Sequence, residues 1–157
     1  MAFPEHTILP IMQTARKPTS IFTQGAIQPD FIAGSIAKHS TKTNIGAHAI
    51  FLGQVRADEK NGNAVTAIRY SAYQPMAGQI MAEMRESFFA TYNDMVCLHI
   101  HHSLGEVKTG EISLFVFVSC RHRRQSFAAL EHIVDCLKAG LPVWKQELYA
   151  DNAHRWV

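Results

Sequence analysis

Apolar positions along the chain fall into stretches of two periods. Pro29 stands where a first helical turn begins, and Phe31, Ile32 and Ile36 follow at helical spacing. After Pro75, the residues Met76, Ile80, Met84 and Phe88 recur every four positions, which sets them on one helical face. A third stripe of Phe127, Leu130, Val134 and Leu137 predicts a helix from Arg123 to Ala139. There Gly140 is placed to supply a left-handed cap, and Pro142 forbids continuation. Gly46 to Arg56, Ala64 to Tyr73 and Met95 to His101 alternate with period two, and Ser20 to Ile27 reads as a short strand. Ile112 to Ser119 (ISLFVFVS) is apolar on both faces and predicts a central strand. Val143 to Tyr149 and Arg155 to Val157 read as short strands. Turns are expected at the polar run Ala57 to Asn63, which contains Asn61-Gly62, and between Gly105 and Gly110.

This order of elements predicts an α+β sandwich, with helices on one face of a mixed or antiparallel sheet. One domain over residues 20–157 is expected. Residues 1–19 hold three of the six prolines and little periodicity, so they read as a mobile extension or a loosely docked arm. A domain of this length buries roughly 70% of its unfolded surface and needs no disulfide or metal staple.

Charge and cysteine content narrow the function classes. Fifteen Lys and Arg against thirteen Asp and Glu leave a formal charge of +2, too mild for a general nucleic-acid binder. Three cysteines without a C-x-x-C are not a disulfide framework and fit a reducing compartment. No apolar run approaches the ~20 residues that span a bilayer. The N-terminus lacks the blocks of a signal peptide. A soluble cytoplasmic protein is expected, with no membrane partner.

Two basic features could carry chemistry. Arg121, His122, Arg123 and Arg124 cluster at the start of the last predicted helix. Positive side chains there oppose the helix dipole, so an anion such as phosphate would relieve a cost. The competing reading is a solvated basic turn. Lys138 lies in the last turn of that helix and Lys145 follows the Gly140–Pro142 break, so both amines can reach one pocket. Neighbouring ammonium groups depress each other's pKa and make a usable acid, base or nucleophile. The plain alternative is dipole complementation at a helix C-terminus. His99 and His101 share a strand face, but no Cys or carboxylate stands at a usual ligand spacing, so no metal site is assigned. Cys120 beside Arg121 and His122 reads as a buried thiol at a strand end. There is no dinucleotide fingerprint, Walker loop or nucleophile elbow.

Six collinear segments resemble one family. L-K-A-G-L-P-V-W-K-Q-E (Leu137 to Glu147) is similar to the K-x-x-x-P-x-W-K-x-E signature of the molybdopterin synthase large subunit, the MoaE type. G-A-H-A-I-F-L-G-Q-V-R (Gly46 to Arg56) resembles its early strand ending in G-x-V-R, and Y-S-A-Y-Q-P-M-A (Tyr70 to Ala77) its Y-E-x-Y-x-x-M-A. H-S-L-G-E-V-K-T-G-E (His102 to Glu111), S-C-R-H-R (Ser119 to Arg123) and D-N-A-H-R-W-V (Asp151 to Val157) complete the set. Together they cover nearly everything from Ser20 onward.

The resemblance implies an α/β hammerhead fold with a small added β subdomain. It implies a sulfurtransferase of molybdenum cofactor biosynthesis whose substrate is cyclic pyranopterin monophosphate. The sulfur donor would be a small ubiquitin-like subunit with a C-terminal Gly-Gly thiocarboxylate, a MoaD-like carrier. The assembly would be a heterotetramer around a homodimer of large subunits, and no resident cofactor is implied. Carried over residue by residue, Lys138 is the principal catalytic lysine and Lys145 its partner. His122 and Arg123 match the family's His-Arg pair for substrate or phosphate. Arg56 matches the arginine after the early strand, and Arg155 the late arginine that can act across the dimer. Ser71 stands where the family often has Glu, and Ser103 where it often has Arg. Two other classes compete: a non-catalytic module that only docks a ubiquitin-like partner, and a small RNA- or anion-binding domain using Arg121 to Arg124.

Overall fold

Residues 20–157 are described by a computed structural model; the expectation for residues 1–19 lies outside them. In chain order the elements are β1 (Phe22–Gln24), α1 (Pro29–Ala37), β2 (Ala47–Gln54), β3 (Glu59–Lys60), β4 (Asn63–Ala72) and α2 (Gln74–Thr91). They continue with β5 (Met95–Lys108), β6 (Ile112–Cys120), α3 (Arg123–Gly140), β7 (Val143–Tyr149) and β8 (His154–Trp156). The strands form a sheet in the order β2-β6-β5-β4-β7-β8, with β1 beside β5 and β3 beside β4. The β1–β5 pair is parallel and the other pairs are antiparallel, so the sheet is mixed, as the α+β reading expected.

Strand β6 is buried along almost its whole length, as its two-faced apolar run requires. Because successive side chains point to opposite faces, Leu114, Val116 and Val118 pack in one core while Phe115 and Phe117 pack in another. The first core is closed by α2 and α3 through Met81, Phe88, Ala129, Ile133 and Leu137. The second is closed by α1 through Ile32, with Ile27 beside it. Helices therefore cover both faces, not the one expected: a strand that is apolar on both sides must be covered on both sides.

The predicted stripes are rotated. On α3 the buried set is Ser126, Ala129, Ile133, Val134 and Leu137, while Phe127 stands 64% exposed. Small Ser126 and Ala129 let the helix backbone approach the sheet, and a phenylalanine in their place would hold it away. Met76 on α2 is likewise exposed, and Ala77, Met81 and Phe88 face inward. Gly140 is an ordinary helical residue and not a left-handed cap; it makes room for Met84, whose Cε would lie 2.7 Å from a Cβ at that position.

Two turns decide the strand layout. Asn61 and Gly62 both have positive φ, as a tight Asn-Gly hairpin between β3 and β4 requires. The expected turn at Gly105 is instead a bend inside β5 at φ +77°, and the chain reverses around Gly110. Up to His102 β5 pairs with β6, and from Gly105 to Lys108 it pairs with β4. The added β unit (β4, β7, β8) is thus carried on the second half of β5.

Replacing Ile133, fully buried, with Ala is expected to destabilise the fold by about 2–5 kcal/mol. Phe127→Ala is expected to stay within about 0.5 kcal/mol. Chemical denaturation of both variants checks the rotation of α3, and equal losses would contradict it.

Candidate active site

The last turn of α3 carries Lys138, and the helix stops where Pro142 denies it a further N–H. Leu141 turns extended (φ −77°, ψ 124°) while its N–H still donates to the Leu137 carbonyl at 3.1 Å, so the chain leaves the helix directly into β7. There Lys145 lies opposite Tyr70 of β4 in antiparallel register. Lys138 and Lys145 consequently line one cavity of about 320 Å³. Its floor and walls come from the end of β2 (Phe51, Gly53, Gln54), the start of β6 (Ser113, Leu114), and Tyr70 and His102 where β5 changes partners. Arg56 and Asp58 stand at the same cavity.

Its charges are unevenly matched. The Arg56 guanidinium donates to both oxygens of Asp58 at 2.7 and 3.0 Å, and this pairing raises the arginine's pKa and lowers the carboxyl's. Glu147 accepts from the Tyr149 hydroxyl at 2.5 Å and from Lys60 at 3.0 Å, which holds its carboxyl below the usual range. Among the described residues neither Lys138 nor Lys145 has a carboxylate partner. The Lys138 ammonium sits 5.4 Å from the centre of the Phe51 ring, a cation–π contact that orients it without neutralising it. The cavity thus presents two amines without a carboxylate partner, in a lining that mixes apolar side chains with Tyr70, His102 and Ser113. The lining carboxylates, Asp58 and Glu147, are already paired, an arrangement that favours a bound anion.

Two lining residues were not singled out as site residues from the sequence. His102 donates from Nδ1 to the Ser103 carbonyl at 2.7 Å, which leaves Nε2 as an acceptor. Burial lowers the pKa of His102, and the nearby Lys145 charge adds to the effect. The buried Tyr70 hydroxyl donates to Ser113 Oγ at 3.1 Å, with the His102 ring 5.1 Å away. Tyr70 stood in the Y-x-x-Y segment, and His102 in the H-x-x-G segment beside His99 and His101, where it was weighed only as a metal ligand and not assigned.

The remaining predicted residues lie elsewhere. His122 is the residue preceding α3; its backbone N–H donates to Asp94 Oδ2 at 2.7 Å and its ring faces the same carboxylate at 3.1 Å. Asp94 therefore supplies the negative charge that the basic helix start needs. Arg123 opens α3, and fifteen residues at 1.5 Å rise separate it from Lys138 by about 22 Å. Neither it nor His122 lines the cavity of its own chain, so the single pocket expected from both ends of this helix does not form within one chain. Arg155 pairs with Glu147 across β7 and β8 and is exposed, outside the cavity lining.

The model of the MoaE protein family matches residues 26–140. The chain belongs to the MoaE family. It is 40% identical over 107 residues to "Molybdopterin synthase catalytic subunit 1" of Aedes aegypti, covering 68% of each chain. Its fold is similar to molybdopterin synthase from Staphylococcus aureus, with a TM-score of 0.75 at 25% identity over 87% of this chain and 94% of that one. It also resembles a chain from the protein–protein complex of subunits 1 and 2 of molybdopterin-converting factor from Helicobacter pylori, with a TM-score of 0.73 at 22% identity over 87% and 88%. As a MoaE member it is an enzyme of the molybdopterin synthase catalytic-subunit kind, acting in molybdopterin biosynthesis. No helix among the described residues is long and apolar enough to cross a membrane.

The histidines give the fold an acid limit. Burial pushes His99 down to about 4, with smaller contributions from His39, Arg85, His101 and Lys42, and burial also lowers His48, His101 and His102. Each is neutral when folded and takes up a proton more readily when unfolded, so stability falls as the pH drops below 6.5 and on toward 4. Unfolding midpoints in denaturant measured from pH 8 to 4 are expected to decline through that window; a flat profile would contradict the burial of these rings.

Proposed function

We propose that this enzyme transfers sulfur from the thiocarboxylated C-terminus of a small ubiquitin-like carrier to cyclic pyranopterin monophosphate, forming the dithiolene of molybdopterin. The observation that carries the reading is the convergence of Lys138 and Lys145, both without a carboxylate partner, on one cavity. A thiocarboxylate is an anion, as is the phosphate of the pterin. Two ammonium groups offset the repulsion between them and hold the sulfur near the carbon it attacks. Lys138, fixed against Phe51, is the principal catalytic lysine, and Lys145 beside a lowered-pKa His102 is its partner. The cavity lies within the range of small-molecule sites, which run from ~300 to ~1,000 Å³.

Arg56 contributes to substrate binding once the anion competes with Asp58 for its guanidinium. His122, Arg123 and Arg155 contribute from a second copy of the chain, because the length of α3 keeps the first two from their own cavity. This places a homodimer of large subunits at the centre of a heterotetramer, with one small carrier subunit at each end. The subunit pairing in the Helicobacter pylori complex supports a carrier of this kind. The three free thiols, Cys97, Cys120 and Cys136, support a cytoplasmic setting.

Reconstitution with a thiocarboxylated carrier and the cyclic pterin tests the assignment. Lys138→Ala is expected to lower the rate at least ~1,000-fold with the assembly intact, and Lys145→Ala at least ~100-fold, as for groups that stabilise charge in the transition state. Full activity in Lys138→Ala would defeat the site assignment. Mixing inactive Lys138→Ala with inactive Arg123→Ala protein is expected to restore part of the activity, because a hybrid dimer then holds one intact site. No recovery from a confirmed hybrid would place Arg123 outside the site.

A further inference from the structure

On the opposite face of the sheet, beneath α1, a second set of reactive side chains meets. Cys97 and His99 are two apart on β5 and share a face. His39, in the turn after α1, reaches them from sixty residues away, with its Nε2 3.0 Å from His99 Nε2. The ligand atoms of His39, Cys97 and His99 lie within 4.8 Å of one another. His39 and Cys97 are each 6% exposed, so this is an enclosed cluster.

The tautomer of His39 is decided by its other nitrogen. Nδ1 lies 2.7 Å from the Ser35 carbonyl, which can only accept, so Nδ1 carries the proton and Nε2 presents a lone pair to the cluster. A carbonyl fixing the far nitrogen is the arrangement that orients a metal-binding imidazole. The Lys42 ammonium donates to Cys97 Sγ at 2.8 Å, so a positive charge already rests against the sulfur. Among the described residues no carboxylate pairs with His39, His99 or Lys42. Two imidazoles and a thiol therefore converge on one point, their lone pairs engaged only by one another and by Lys42, and a cation that displaces both contacts finds three ligand atoms there.

We propose that His39, Cys97 and His99 form a binding site for a thiophilic divalent cation of the zinc class, which clips the turn after α1 to the central sheet. Two nitrogens and one thiolate suit such an ion and leave a fourth position. Water takes that position, or His48 does, its ring centre being 6.0 Å from that of His39 and its Nδ1 held by Ser119 Oγ at 2.8 Å. On binding, the Cys97 proton leaves to solvent, His99 moves its proton to Nδ1 so that Nε2 can ligate, and Lys42, on the exposed turn, swings away. The site is independent of the lysine cavity, so its test does not use sulfur transfer.

The full chain, stripped with chelator, is titrated with Zn2+ by calorimetry and with Co2+ by absorption. One equivalent of zinc is expected to bind and raise the thermal midpoint, and cobalt is expected to show a thiolate charge-transfer band. Cys97→Ser should remove the band and weaken zinc binding by roughly 100-fold, with circular dichroism confirming the apo fold. His154→Gln, on an exposed histidine outside the cluster, should change nothing. Lys42→Met, whose side chain is not needed for the core, should tighten zinc binding about tenfold by removing the competing charge. The proposal is overturned if the folded wild-type chain binds no stoichiometric zinc. It is equally overturned if Cys97→Ser keeps the band and the affinity, if His154→Gln loses them, or if Lys42→Met binds no more tightly.

Discussion

Strand β5 pairs with one neighbour over its first half and another over its second, and the bend at Gly105 makes the change possible. A flat strand continuing along β6 would leave no gap between the two halves of the sheet. The positive φ of Gly105 turns the strand, β4 and β7 attach to its far end, and the start of β6 and the end of β2 are left facing β4 across a cleft. A side chain at position 105 would meet both an unfavourable backbone conformation and Gln24 Oε1 at 3.3 Å. The α3–β7 junction closes the cleft from one side and brings both lysines to it.

The two faces of β6 divide the labour of the molecule. One face holds α3 rigidly over the sheet, which fixes where the last helical turn, and hence Lys138, can lie. The other face is covered by the short helix α1 and by a histidine-rich group that uses Phe117 as its floor. Burial keeps the rings of His48, His99 and His101 less basic than in water, which favours these three imidazoles as neutral donors and acceptors. Basic groups also gather at the cleft and at the start of α3, where Asp94 compensates them.

Local chemistry made much of this legible. Pro29, Pro75 and Pro142 marked two helix starts and one helix stop because a missing N–H and a fixed φ act on their own neighbours. Asn61-Gly62 marked its hairpin for the same kind of local reason. The stripes on α2 and α3 were rotated because periodicity reports that a helix has an apolar side, while the choice between Phe127 and Ala129 as the inward residue depends on how closely the sheet approaches. Gly105 read as a turn because a glycine with positive φ ends a strand or bends it with equal local ease, and only the pairing with β4 decides which.

By itself, the sequence determined the three helices, most of the strands and their order, the reduced state expected of the thiols and the K-x-x-x-P-x-W-K run that sets two lysines on either side of a proline break. Those properties depend on neighbours within a few residues. Only the tertiary structure decided that both amines share a cavity with His102 and Tyr70, that His122 and Arg123 lie a helix length away from it, and that His39 meets Cys97 and His99. The shared cavity and the His39 cluster join segments tens of residues apart, set by strand register and helix docking, and no local spacing encodes them.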